Sequence, residues 1–175
     1  MQPTKWFDRQ FDFSATQNIF PSILERLIGT TARLKEKISH IPAELLTKRV
    51  DDKWTIKEHI GHLADLEPLW QGRFEDIKNN QTELRATDLQ NRKTTEAGHN
   101  DKSVDELIEQ FNKLRQETIQ SLENIDETTV FKSALHPRLK TPMRTMDHFL
   151  FVAEHDDHHL AAISQLIKQL QTKYL

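Results

Sequence analysis

The sequence contains no cysteine, which excludes disulfides, cysteine-ligated zinc ribbons and a thiol nucleophile within the chain. Glycine is scarce, with four among 175 residues. Glycine-rich phosphate loops are therefore unsupported, and the Gly-x-Ser-x-Gly elbow of serine hydrolases does not occur. No apolar run approaches the ~20 residues that a membrane-spanning helix needs. No basic stripe offers a footprint for nucleic acid, because the net charge is −3 and its signs are interspersed. The opening Met1-Gln-Pro-Thr-Lys-Trp-Phe-Asp8 lacks the apolar core of a secretory signal, so a cytoplasmic protein is expected. Internal repeats and low-complexity tracts are also missing. The expected partner is thus a small-molecule substrate, with no nucleic acid and no membrane.

What is present is a chain of helix formers: Leu, Glu, Lys, Gln and Ala dominate. Apolar residues make up 36% and charged residues 29%, the balance of helices with one buried stripe and a solvated back. The length is that of one domain. The expectation is an all-α four-helix bundle spanning residues 1–175, with long connectors between its helices.

A lead-in carrying Trp6, Phe7, Phe11 and Phe13 should pack onto the bundle. A first helix is predicted from Phe20 to Ser39, with Pro21 tolerated in its first turn and Pro42 beyond its end. Thr55-Ile-Lys-Glu58 is a capping box that opens a second helix, expected to run to Lys78 and to kink at Pro68. Residues 79–102 form a long polar connection. Ser103-Val-Asp-Glu106 is a second capping box and opens a third helix to about Asn124. A further connection, 125–144, contains His136-Pro-Arg138 and leads to a fourth helix from Thr145 to Gln171. An outward apolar stripe on the first or third helix would support a homodimer.

The chemical signal is the run Glu154-His155-Asp156-Asp157-His158-His159 in the fourth helix. Histidines four apart lie ~40° apart on one helix face. The apolar positions Val152, Ile163, Leu166 and Leu170 centre within ~50° of His155, so His155 and His159 belong to the buried seam and His158 points to its edge. Two buried imidazoles at this spacing need partners, and together they are two ligands for one metal ion. A third ligand must come from the second helix, where His59 lies nearer the centre of the apolar face and His62 ~60° round from it. Phase leaves that choice open, with a slight preference for His59. A ferritin-like di-metal site is unsupported, because the residues three beyond Glu58 and Glu154 are Gly61 and Asp157.

Trp54-Thr-Ile-Lys-Glu-His-Ile-Gly-His62-Leu-Ala-Asp65, taken with Phe151-Val-Ala-Glu-His155-Asp-Asp-His-His159-Leu-Ala-Ala-Ile163, resembles the DinB-like superfamily. The resemblance implies a four-helix bundle holding one divalent ion, zinc or nickel, on one histidine of the second helix and two of the fourth. Carried over by position, the metal ligands are His62, His155 and His159, and the second-helix choice falls on His62. It also implies, for some members, hydrolase or thiol S-transferase activity.

Three imidazoles leave open coordination positions, the pattern of a catalytic site. The first functional expectation is therefore a metal-dependent hydrolase using an activated water. The alternatives are a metal-dependent transferase of a low-molecular-weight thiol, and a non-enzymatic stress-response or binding module with structural histidines. Asp65, one turn beyond His62, is the candidate general base, weighed evenly against a supporting or surface role. Glu154 and Asp156 read as solvated helix surface, and His99 and His136 as ordinary loop histidines. Arg138 or Arg144 is a candidate for holding an anionic substrate group, set against the usual reading of a connector arginine as solvated surface. Trp54, Trp70 and Phe74 read as core.

Overall fold

A computed structural model describes residues 4–174. Residues 1–3 and 175, part of the expected lead-in and of the expected 1–175 domain, lie outside the described residues. Four long helices build the bundle: α1 (Phe20–Ile38), α2 (Ile56–Lys78), α4 (Val104–Leu122) and α6 (Thr145–Tyr174). Each of α1 and α2 packs against both α4 and α6, so α1 and α2 lie across the bundle from each other. No helix among the described residues is long and apolar enough to cross a membrane.

The helix starts follow local chemistry. Thr55 Oγ1 accepts from the Glu58 backbone N–H at 3.1 Å, and Glu58 accepts from the Thr55 N–H at 2.8 Å. Ser103 and Glu106 repeat the exchange at α4. Each box satisfies backbone donors that a helix start leaves free. Pro21 sits in the first turn of α1, and α2 continues through Pro68.

The connectors carry structure that periodicity does not reveal. Residues 79–102 contain the short helix α3 (Arg92–Glu96) and a 3-10 turn at His99–Asp101, both packed on α2. The later connector contains α5 (Glu127–Phe131) and a hairpin of β1 (Ser133–Leu135) with β2 (Pro142–Arg144). Its antiparallel register pairs Ala134 with Met143.

The core is divided along the helix axes. One apolar cluster contains Leu27, Trp70, Phe74, Leu122, Phe149 and Val152; the other contains Leu34, Ile60, Leu63, Phe111, Leu160 and Ile163. Between them runs a buried polar belt. Arg115 donates to Glu67 Oε1 at 2.6 Å and to Asp156 Oδ2 at 2.6 Å. Thr118 donates to Glu67 at 2.6 Å and Thr30 to Asp156 at 2.8 Å. All four long helices contribute to this belt. Asp156 is therefore fully buried, not solvated surface, because a guanidinium from α4 meets it. Glu154 is half-buried and paired with Arg9 and Arg26, which pins the lead-in and α1 to α6.

Candidate metal centre

The histidines stand beside the polar belt, where α2 and α6 face each other. His62, His155 and His159 are each buried, and one ligand nitrogen from each lies within 4.8 Å of the others. The His155 and His159 Nε2 atoms are 3.1 Å apart. Burial pushes the His62 pKa down to about 4. The same desolvation, reinforced by neighbouring imidazoles, holds His155 and His159 well below the ordinary histidine value. All three rings are thus neutral at pH 7, the form that offers a lone pair to a cation.

The donor set fits a divalent ion. Three imidazole nitrogens at ~2.0–2.1 Å from a tetrahedral centre lie ~3.3 Å from one another. The 3.1 Å His155–His159 contact already matches that spacing. Two facing imidazole nitrogens otherwise need a proton between them, and the His155 Nδ1 behind that contact has no partner. Neutral nitrogen ligands with no thiolate suit zinc or nickel.

The far sides of the rings are held by partners. His62 Nδ1 lies 2.9 Å from Thr94 Oγ1, and Thr94 donates to Asp65 Oδ2 at 2.9 Å. The same carboxylate oxygen meets His99 Nε2 at 2.8 Å. Burial works to raise the Asp65 pKa, but the His99 and Thr94 hydrogen bonds outweigh it and keep the group below its usual value. Asp65 therefore stands behind His62, and it does not line the cavity in front of the rings. His59, the second-helix alternative, is buried too: its Nδ1 is 2.8 Å from His159 Nδ1. The structure thus brings both α2 histidines to the α6 pair, His62 into the ligand group and His59 behind His159. His158 is half-exposed at the seam's edge.

In front of the rings lies a cavity of about 290 Å³. Trp6, Trp54, Trp70 and Phe151 form aromatic walls, and Trp70 is 5.6 Å from His155 between ring centroids. Trp54 and Trp70 thus wall the cavity as well as packing, whereas Phe74 stays in the core. Among the described residues lining it, Asp88 contributes the one carboxylate. Arg138 lines the cavity, but Arg144 is tied to Asp147 and to the carbonyls of Phe13 and Ala15.

Thr94, His99 and the buried role of His136 escape sequence reasoning because connector residues carry no burial periodicity. Gly61 was the available signal. A Cβ there would meet the His99 ring at 2.3 Å, so a glycine one residue before His62 marks a close approach by another segment.

The DinB superfamily model matches residues 23–163. No curated protein matches the chain. Among solved structures, YfiT from Bacillus subtilis, described as a probable metal-dependent hydrolase with an unusual four-helix bundle topology, is similar at TM-score 0.81 and 18% identity; the match covers 93% of this chain and 94% of that one. An uncharacterized protein from Clostridium difficile 630 matches at TM-score 0.67 and 14% identity, over 92% of this chain and 100% of that one. A mycothiol-dependent maleylpyruvate isomerase matches at TM-score 0.65 and 10% identity, over 81% of this chain and 59% of that one.

Proposed function

The chain belongs to the DinB superfamily, and on that premise we propose that it is a metal-dependent hydrolase whose His62, His155 and His159 hold one divalent ion, zinc or nickel. The observation that carries the proposal is the convergence of three buried, neutral imidazoles from two helices on one point at the floor of an aromatic cavity. The description of the YfiT neighbour supports the same reaction class. When bound, a divalent cation supplies Lewis acidity, polarising a carbonyl or activating water at neutral pH.

The chain's own residues do the rest. Asp65, through Thr94, sets the His62 tautomer so that Nε2 faces the cavity, the role a carboxylate plays behind many metal-ligating histidines. We assign Asp65 this positioning role, because the observed bonds occupy its Oδ2 on the side away from the cavity. His59 orients His159 in the same way. The aromatic walls exclude bulk water and present a flat, apolar surface to substrate.

A second reading is a transferase in which a low-molecular-weight thiol takes the place of water, supported by the likeness to a mycothiol-dependent isomerase. The first test is elemental analysis of purified protein. One equivalent of divalent metal, lost in His155→Ala, is expected. Metal-loaded protein is then assayed against ester and amide panels, with and without added thiols. Turnover without thiol supports the hydrolase, turnover that requires thiol replaces it with the transferase, and absence of stoichiometric metal removes both.

A further inference from the structure

Among the described residues, Arg73 is a buried cation with an unpartnered guanidinium nitrogen. It stands on α2, is 1% exposed and lines the cavity. Its Nε donates to the Arg85 carbonyl at 3.0 Å, while its Nη2 has no hydrogen-bond partner. No described carboxylate is paired with it. Asp76, one turn further along the same helix, favours the charged Arg73 through space but is itself engaged by the Arg85 guanidinium at 2.7 and 2.9 Å. A buried guanidinium cannot shed its proton at neutral pH, so without a counter-charge it is strongly destabilising. Desolvation pulls the Arg73 pKa down to about 10, still far above neutrality.

The neighbourhood worsens the imbalance. Arg73 Nη1 lies 3.1 Å from His136 Nε2. His136 Nδ1 receives the backbone N–H groups of Arg138 and Leu139 at 3.2 and 3.1 Å. A neutral imidazole has one lone pair and one N–H. With Nδ1 accepting, Nε2 carries the proton, and it faces another donor. Donors therefore converge with no acceptor between them. Arg138 adds a second cation at the same end, half-buried, in no ion pair among the described residues and stacked over Phe7 at 5.3 Å. The carboxylate of Asp88 does not offset them: it is exposed and accepts from the Gln90 and Arg92 backbone N–H groups.

We propose that Arg73, Arg138 and the Nε2–H of His136 form a carboxylate-binding subsite in the cavity, which fixes the anionic end of an aromatic or apolar small molecule. A planar carboxylate placed between these donors satisfies both Arg73 Nη1 and Nη2 and relieves the contact with His136. The geometry also relates this subsite to the histidines. Arg73 is eleven residues beyond His62, three turns within ~20°, so both lie on one face of α2 about 16 Å apart along the axis. Trp70 touches both neighbourhoods, its ring 5.6 Å from the Arg73 guanidinium and 5.6 Å from the His155 ring centroid. That the carboxylate belongs to the reacting molecule rests on the proposed hydrolase or transferase reading. The anion subsite itself does not.

The test uses metal-free, full-length protein, so that its outcome is independent of the metal centre. Binding of phenylacetate, phenylacetamide and phenyl phosphate is measured by calorimetry and by NMR shift titration. Phenylacetate is expected to bind at least tenfold more tightly than the neutral amide. Arg73→Met and Arg138→Gln are each expected to weaken phenylacetate at least tenfold and leave the amide unchanged. Arg73→Met is also expected to keep or raise the ligand-free thermal midpoint, because it removes an uncompensated buried charge. A fall of several degrees would show Arg73 to be a structural tie and overturn the proposal. So would equal binding of acid and amide, unchanged binding in Arg138→Gln, or a preference for phenyl phosphate, which would assign the site to phosphate esters.

Discussion

Thr94→Val isolates the hydrogen-bond chain behind His62. Valine matches the shape of threonine but deletes the hydroxyl that links His62 Nδ1 to Asp65, two contacts of 2.9 Å each. Asp65 keeps its 2.8 Å contact with His99, so the buried carboxylate is not orphaned. His62 Nδ1–H, by contrast, loses its acceptor on the buried side of the ring, which costs ~1–3 kcal/mol in stability. In a chain of this length that lowers the thermal midpoint by a few degrees. The ring also becomes free to turn or change tautomer. Loss of such a partner typically weakens metal affinity 10- to 100-fold, or ~1.4–2.7 kcal/mol. Zinc affinity, measured by competition with a chromophoric chelator, should fall by that factor in Thr94→Val and recover in Thr94→Ser. Wild-type affinity in the valine variant, alongside an unaltered fold, would mean that His62 does not ligate through the nitrogen opposite Thr94, and the positioning argument would be wrong.

Three other perturbations probe the frame around the site. Gly61→Ala places a methyl where the His99 ring now sits, 2.3 Å from it; the His99–Asp65 contact should break, and faster amide exchange in residues 91–101 is the readout. Arg115→Ala leaves Glu67 and Asp156 as uncompensated buried carboxylates; a loss of ~3–5 kcal/mol in urea unfolding is expected, and a loss below ~1 kcal/mol would show that the belt is dispensable. For the metal-free protein, burial depresses His59 and His148 to about 3 and His62 and His136 to about 4. The unfolded chain therefore binds more protons than the native one between about pH 4 and 6.5, and stability must fall as pH drops through that window. Circular dichroism should show the midpoint of thermal unfolding declining steeply from pH 6.5 to 4, and a flat profile would contradict the buried neutral rings.

The long helices were legible because their signals are local. Both capping boxes are made by residues three apart, and the expected starts of α2, α4 and α6 coincide with the observed ones. The end of α6 lies at Tyr174, beyond the expected Gln171, since no glycine or proline follows to stop it. The short helices and the hairpin were not legible. Five-residue helices and three-residue strands carry no period, and they exist because they dock on α2 and α6. Asp156 illustrates the larger failure. Charge reads as surface when one helix is considered alone, and the group that buries it, Arg115, lies 41 positions away. The same blindness applied to His59 and His62. Phase analysis assumes one apolar seam per helix, whereas α2 gives apolar residues to both core clusters and polar residues to the belt between them, so both histidines are inside.

His59 then has a definite task, and it yields a sharp test. In the metal-free protein the 3.1 Å contact between His155 Nε2 and His159 Nε2 needs one proton between the two lone pairs. Ligation requires both nitrogens bare. If the proton sits on His159, it must leave Nε2, and His159 must become the Nδ1–H tautomer. That nitrogen faces His59 Nδ1 at 2.8 Å, so His59 must in turn stop donating and accept, carrying its own proton on Nε2. If the proton sits on His155 instead, His159 already carries its own proton on Nδ1 and His59 already accepts, so loading only moves the His155 proton to its Nδ1; that nitrogen has no partner and holds the proton in the ligated state on either route. The first route exchanges tautomers along His159 and His59 on loading, whereas the second leaves His59 unchanged. Nitrogen-15 NMR of the imidazoles separates the two: the relay has His59 protonated at Nδ1 without zinc and at Nε2 with it. His59→Phe keeps an aromatic ring but removes the acceptor, and zinc affinity should fall 10- to 100-fold. An unchanged His59 tautomer on zinc addition would refute the relay and leave His59 as a fixed acceptor for His159.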